Sequence, residues 1–331
     1  MNWSPGHKLK DDRYTIEATL GHGRLSMTYL AKKKNGDRHV LKVPNDEATT
    51  ADLVKVQRRF KNEAWKLHDC KHPNIVKVFD PFEEGDLNLY CIPMEYIAGT
   101  SLDKRDRARL SEAEAMTYVT QIGEALGELH SKGLIHRDVN PKNVIIRSGV
   151  SQAVLIDFGL VKDFSNESSP SLVTTKTQDA GMHPGYKAPE LYVPGGDRGP
   201  YCDLYALGAL LYELVTGSAP PNAVERSTQP GPLSFPGGAV SPPVMEAIEW
   251  AMEIKVSDRP ETVADWLEML KSGKKPEVKA AEPPVPKPKP VNWKMMLKVI
   301  GGITALITAV TGLVAKFQPK DSSPAKTEQS R

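Results

Sequence analysis

The sequence is poor in cysteine, with three in 331 residues. Cys70, Cys91 and Cys202 are scattered and lack metal-ligand spacing. That excludes a disulfide framework and fits a reducing compartment with buried or idle thiols. An excess of charge of one sign is lacking too: 43 Lys and Arg face 41 Asp and Glu, a formal net charge of +2. So even a balance gives no sequence-wide attraction to nucleic acid, and no nucleic-acid partner is expected. The opening stretch, MNWSPGHKLKDDRYTIE, has no apolar core of the kind a secretory signal carries. No internal repeat is visible. The length suits one catalytic unit of about 260 residues with extra segments.

The most informative stretch runs from Leu134 to Gly159, LIHRDVNPKNVIIRSGVSQAVLIDFG. His136-Arg137-Asp138 comes first, Asn143 follows, and then Asp157-Phe158-Gly159. Two carboxylates, an amide and a cation in short loops between apolar strands suit phosphoryl transfer with metal ions. Asp138 can orient a hydroxyl and accept its proton. Asn143 and Asp157 offer the oxygen ligands that Mg²⁺, a hard cation, prefers. The ordered pair HRD-x-x-x-x-N and DFG resembles the catalytic signature of eukaryotic-type (Hanks-type) protein kinases.

That resemblance extends in family order from Gly21 to Arg259, nearly three-quarters of the chain. It implies an α+β, two-lobed protein-kinase-like fold. A tail over 1–13 precedes a small, mostly β N-lobe over 14–97 and a mostly helical C-lobe over 98–270. Gly21, His22 and Gly23 resemble the glycine-rich loop whose backbone N–H groups approach ATP phosphates. Two residues depart from the pattern: Ser26 stands where a third glycine is usual, and Thr28 where a valine packs on adenine. Lys42 lies among apolar neighbours on the strand RHVLKV, where an inward lysine needs a partner. The partner implied is Glu63, in a helical stretch where Phe60, Ala64 and Leu67 share a face. Met94 falls at the gatekeeper position, and Glu95 and Ile97 would offer backbone groups to the adenine edge. Val40 and Ile145 complete the implied nucleotide-binding set. The cofactors implied are ATP and Mg²⁺, with Mn²⁺ as a substitute, held by Asn143 and Asp157.

The segment from Ser111 to Ser131 reads as a helix. Ser111 and Glu114 pattern as a capping box, and Met116, Val119, Ile122, Leu126 and Leu129 form an apolar stripe. Asp203 near the start of the apolar helix Tyr201–Gly217 needs N–H partners, and the resemblance makes it a brace for the catalytic loop. Glu190, in Ala188-Pro189-Glu190, is implied to pair with Arg259. The stretch from Leu160 to Glu190 is rich in Ser and Thr and reads as the activation segment. There Thr174, Thr175 or Thr177 is the expected autophosphorylation site, with Arg137 as the cation that pairs with the phosphate. Pro141 is in serine/threonine style. Asn140, however, stands where serine/threonine kinases usually place a lysine, and His183 where a threonine often contacts this loop. Losing that cation costs roughly 1–3 kcal/mol of transition-state stabilisation if nothing replaces it. The expected activity is transfer of the γ-phosphoryl of Mg-ATP to Ser or Thr hydroxyls of protein substrates. The catalytic residues expected are Asp138, Lys42 and Asn143. Two alternatives are a pseudokinase scaffold without turnover and a small-molecule phosphotransferase. The retained lysine and metal ligands argue against the first, Glu190 and Arg259 against the second.

Residues 271–294 are Pro- and Lys-rich and read as an extended, solvated linker. Within 295–316, the uncharged run from Val299 to Ala315 is bracketed by Lys298 and Lys316. Its length of about 17 residues gives ~26 Å of helix, and Met295, Met296, Leu297 and a snorkelling Lys298 extend it toward a ~30 Å hydrocarbon core. A single-pass C-terminal transmembrane helix is expected, with Trp293 at the interface and a short polar tail over 317–331. The need for ATP puts the kinase domain in the cytoplasm. The arrangement resembles that of membrane-anchored bacterial serine/threonine kinases, without room for their outer sensor domain. Gly301, Ala305, Thr308 and Gly312 lie near one helix face with small-residue spacing that suits a homodimer.

Overall fold

The computed structural model describes residues 3–22, 26–45, 57, 61, 64–85, 89–105, 109–157, 162–163 (backbone), 184–193, 198–236 and 240–276. Within them the chain forms a β-rich N-lobe and a mostly helical C-lobe. Among the described residues no helix is long and apolar enough to cross a membrane. The linker from 277 onward, the expected span over 295–316 and the tail over 317–331 lie outside them. So do Gly23, Glu63, Phe158, Gly159, Thr174, Thr175, Thr177 and His183.

The N-lobe is one antiparallel sheet of β1 (Lys8–Leu9), β2 (Tyr14–His22), β3 (Ser26–Lys33), β4 (Arg38–Pro44), β5 (Phe82–Glu84) and β6 (Leu89–Glu95), in the order β1-β2-β3-β4-β6-β5. The alternation of a strand explains its two faces. Leu41 and Val43 of β4 turn into the lobe core with Met27 and Tyr29 of β3, while Lys42 turns the other way. The sheet reaches back beyond Tyr14, so residues 3–13 are part of the lobe rather than a tail ahead of it. The Trp3 ring lies 5.3 Å from that of Tyr29, and the Trp3 backbone N–H donates to the Tyr29 hydroxyl at 3.4 Å. A two-residue strand and one aromatic carry too little periodicity to be read beforehand.

Below the hinge, α1 (Glu112–Ser131) starts at Ser111, whose hydroxyl accepts from the Glu114 N–H. Its stripe of Val119, Ile122, Leu126 and Leu129 is fully buried, and Met116 packs against the same core. Helix α2 (Pro200–Thr216) is apolar around nearly its whole circumference, as a central core helix must be. Gly208 lets it approach α4 (Pro242–Ala251) closely, because a Cβ there would fall 2.7 Å from the Ala251 Cβ. The short α3 (Ala223–Thr228) follows α2, and α5 (Val263–Ser272) closes the lobe behind a complete Thr262–Asp265 capping box.

Two small sheets deliver the catalytic segment. Strand β8 (Leu134–Ile135) follows α1 and pairs with β11 (Lys162–Asp163). Strands β9 (Val144–Arg147) and β10 (Ala153–Leu155) form a hairpin, with β7 (Gly99–Ser101) on the other side of β9. The Leu155 N–H donates to the Asn74 carbonyl at 2.8 Å, and the Val76 N–H to the Leu155 carbonyl at 3.0 Å, fixing the segment that leads back to the N-lobe. Residues 136–143 and 156–157, between these strands, thus sit at the cleft between the lobes.

Candidate active site

Lys42 is presented by β4 into the cleft, and its Nζ lies 2.5 Å from Asp157 Oδ1. The lysine is buried while the aspartate side chain remains 48% exposed. One end of the pair is fixed and the other faces solvent, where a ligand can reach it. Glu63, the expected partner of Lys42, lies outside the described residues. Val40 pairs with Met94 across β4 and β6. The Glu95 N–H donates to the Lys77 carbonyl at 2.8 Å, so that N–H is not offered to a ligand. The Glu95 side chain is held away by Arg147, Nη1 to Oε1 at 2.8 Å. Ile97 is buried, and Ile145 packs partly buried against the main core. Gly21 and Thr28 face each other across the β2–β3 hairpin, and His22 is exposed at its tip.

The catalytic loop is held from beneath by Asp203. Its fully buried carboxylate accepts the N–H of His136 at 2.9 Å, the N–H of Arg137 at 2.7 Å and His130 Nε2 at 2.8 Å. Burial alone would push this carboxyl up. The hydrogen bond and charge of His130, the charge of His136 and the Arg137 N–H outweigh it and hold the pKa below the usual carboxylate range. Arg137, at φ 67°, and Asp157, at φ 58°, both occupy the left-handed region. Non-glycine residues reach it at a cost of order 1–3 kcal/mol, and such strain clusters at working sites. The buried His136 ring spans the loop. Its Nδ1 accepts the Asp138 N–H at 3.3 Å, which leaves Nε2 to donate to the Ile156 carbonyl at 3.2 Å. A second tie runs from the Ile156 N–H to the Asn143 carbonyl at 2.8 Å. These bonds fix Asp157 relative to Asp138.

At the loop's tip, Asn143 Nδ2 donates to both the carbonyl and Oδ2 of Asp138, each at 2.8 Å. Asn140 Nδ2 donates to the same carbonyl at 3.0 Å and to Oδ1 at 2.8 Å. Burial and the nearby Asp157 charge push the Asp138 carboxyl up to about 7, against the pull of the two amides and Lys42. A carboxyl poised near neutrality is what a general base needs. The amide nitrogen of Asn143 is committed to Asp138, so its side-chain carbonyl oxygen, with the half-exposed Asp157 carboxylate, offers a cation hard oxygen donors. An amide oxygen and a carboxylate without thiolate or imidazole fit Mg²⁺ or Mn²⁺ chemistry.

Glu190 and Arg259 meet as the sequence implies. The carboxylate is held bidentately at 2.7 and 2.9 Å, with both partners buried. Arg259 also donates to the carbonyls of Tyr201 and Glu253. The pair fastens the end of the activation segment to the helical lobe.

The sequence profile of the protein kinase domain matches residues 14–232. The chain belongs to the protein kinase domain family. It is 34% identical over 217 residues to a probable serine/threonine-protein kinase, PknB, of Lactococcus lactis, a match covering 64% of this chain and 33% of that one. It is 34% identical over 212 residues to the serine/threonine-protein kinase PrkC of Bacillus subtilis, covering 63% of this chain and 31% of that one. The chain thus spans about a third of the length of these curated relatives. Among solved structures, the PknI kinase domain of Mycobacterium tuberculosis superposes with a TM-score of 0.59 at 26% identity, over 82% of this chain and 99% of that one.

Two features of the kinase site were not read from sequence. His130 ends an amphipathic helix, where a histidine is ordinarily a solvated cap, yet it closes the Asp203 cage. Asn140 brings no cation where a lysine is usual, and its amide is bound to the Asp138 carboxylate.

Proposed function

We propose that the chain is an ATP-dependent serine/threonine protein kinase. The observation that carries this reading is the convergence of Lys42, Asp138, Asn143 and Asp157 in one cleft, with Lys42 on Asp157 and Asn143 on Asp138. Lys42 binds the nucleotide phosphates, and the hairpin around Gly21 covers them. Asp138 accepts the hydrogen bond of a Ser or Thr hydroxyl and turns its oxygen toward the γ-phosphorus. As the new O–P bond forms, the bond from the γ-phosphorus to the β–γ bridging oxygen breaks. The hydroxyl proton passes to Asp138, and ADP leaves with the electron pair. Asn143 and Asp157 would hold a divalent cation, which would neutralise charge on the phosphate oxygens. Pro141 and the named relatives support Ser/Thr specificity. Transfer of ³²P from γ-labelled ATP to Ser or Thr of protein, lost in Asp138→Asn, is the expected result. Label in a small metabolite, or undiminished autophosphorylation in the variant, overturns the reading.

The same proposal places the catalytic lobes in the cytoplasm on a single C-terminal span over 295–316. The apolar run and its flanking lysines support it. Sedimentation of the full chain with membranes, and its release when 295–331 are deleted, is the expected outcome; release by carbonate washing alone rules the span out. Autophosphorylation at Thr174, Thr175 or Thr177 is expected by phosphopeptide mapping of active protein.

A further inference from the structure

Asn140 occupies an unusual place for a loop amide. It is 6% exposed, directly beside the residue proposed to take the substrate proton. Its side chain has two separable tasks. The Oδ1 atom accepts the Lys142 N–H at 2.9 Å and caps the short 3₁₀ turn Pro141–Asn143. The Nδ2 group faces the other way, onto the carbonyl and Oδ1 of Asp138. Asn143 approaches the same carboxylate from its opposite oxygen. Each carboxylate oxygen therefore accepts one amide N–H, and the plane of the group is fixed by two neutral donors on its two sides. The second lone pair on each oxygen remains for a substrate hydroxyl. A single donor would leave the carboxylate free to turn about its own axis, whereas two donors on different oxygens do not.

We propose that Asn140 is a positioning residue for phosphoryl transfer: with Asn143 it forms a two-amide clamp that sets the orientation of the Asp138 carboxylate toward the substrate hydroxyl. This rests on Asp138 being the proton acceptor. The clamp explains why the absence of a lysine at this position does not leave a gap, since the amide takes over a hydrogen bond to the carboxylate while bringing no charge. Lys142, two residues further on, is exposed and does not replace it. The amide acts on the base and not on the nucleotide, so its loss belongs in kcat and not in ATP binding.

Asn140→Ser separates the two tasks, because a serine hydroxyl still caps the Lys142 N–H but is too short to hold Asp138. In the full chain with Mg-ATP and a Ser/Thr peptide, Asn140→Ser should lower kcat about 10- to 100-fold with the KM for ATP changed less than about twofold. Its thermal midpoint should stay at the parent value, and Asn140→Ala, which loses cap and clamp together, should match it in kcat while melting lower. On an Asp138→Asn background, Asn140→Ser should cost no further rate, since the carboxylate it orients is gone. A kcat for Asn140→Ser within about twofold of the parent, or equal further losses on both backgrounds, overturns the positioning role. Full activity of Asp138→Asn alone overturns the proton-acceptor reading beneath it, and that result is distinct from the other two.

Discussion

Two aspartates hold the catalytic loop from opposite ends, and their surroundings push them in opposite directions. Asp203, beneath the loop, accepts three hydrogen bonds from buried donors and keeps its carboxyl below the usual range. Asp138, at the tip, accepts from two neutral amides, faces the Asp157 charge and rises to about 7. The first is satisfied and closed, with no room for a ligand. The second is held in place but left with unfilled acceptor capacity. One carboxylate has its charge neutralised by the fold so that the backbone stays put. The other is kept reactive, and environments that drive two acids apart in this way are how one loop assigns two roles.

The comparison breaks most sharply if the two residues fail to separate rate from stability. Asp138→Asn should lower kcat for protein phosphorylation by about 10²–10⁴-fold, the usual contribution of a positioned general base. Its unfolding midpoint in urea at pH 4.5 should move little, because the native carboxyl is protonated there and the amide nearly matches its shape. Asp203→Ala should do the reverse in weight. It strands the N–H groups of His136 and Arg137 and leaves His130 without its carboxylate, so a loss of about 3–5 kcal/mol in chemical denaturation is expected. Activity falls with it, since the loop backbone is no longer fixed. A stable Asp203→Ala protein with parental rate would show that the cage is incidental.

His130→Ala tests the cage more gently. It removes one of three donors and leaves the two backbone N–H bonds, so the expected cost is about 1–2 kcal/mol in stability. His130→Gln, which can still donate, should recover part of it. Equal losses in both variants would place the effect in packing at the end of α1 rather than in the hydrogen bond to Asp203.

How much of this could be read beforehand depended on whether a residue announces its own need. Lys42, Asp203, Glu190 and Arg259 are charged groups in apolar or motif-bearing stretches, and a buried charge requires a partner. The surroundings of Asp203, Glu190 and Arg259 are therefore legible, as is the division into a β lobe and a helical lobe, whereas the partner seen on Lys42 is Asp157 and the expected Glu63 lies outside the described residues. Partners were harder. His130 looks like any helix-ending histidine, and only the packing of α1 against α2 brings it to Asp203. Trp3 sits in a short polar segment without periodicity, so its part in the N-lobe core was hidden. The left-handed backbone at Arg137 and Asp157 was equally silent, because neither is a glycine and the surrounding fold, not the residue type, enforces it.

The smallest expected effect is a difference in how stability follows pH, measured in EDTA without nucleotide. The two carboxylates then carry opposite signs. Asp203 has a native pKa below its unfolded value, so the stability it contributes is complete above the unfolded pKa, near 4, and drains away as pH falls through the native value. Asp138 has a native pKa of about 7, above its unfolded value. Below about pH 4 it carries no penalty. As pH rises toward 7 the unfolded chain ionises freely while the native site resists, and the folded state loses ground. Comparing the parent with Asp138→Asn by urea titration at pH 4.5 and pH 8 isolates this term, since every other group is shared. The variant should gain on the parent by about 1 kcal/mol or more between those pH values, given about 1.4 kcal/mol per pKa unit and partial solvent screening. The same comparison with Asp203→Ala should show no such gain over this range. Its difference from the parent should instead shrink only below about pH 4, where the unfolded carboxylate protonates. Parallel pH profiles for both variants would mean that the tip and the base of the loop feel the same environment.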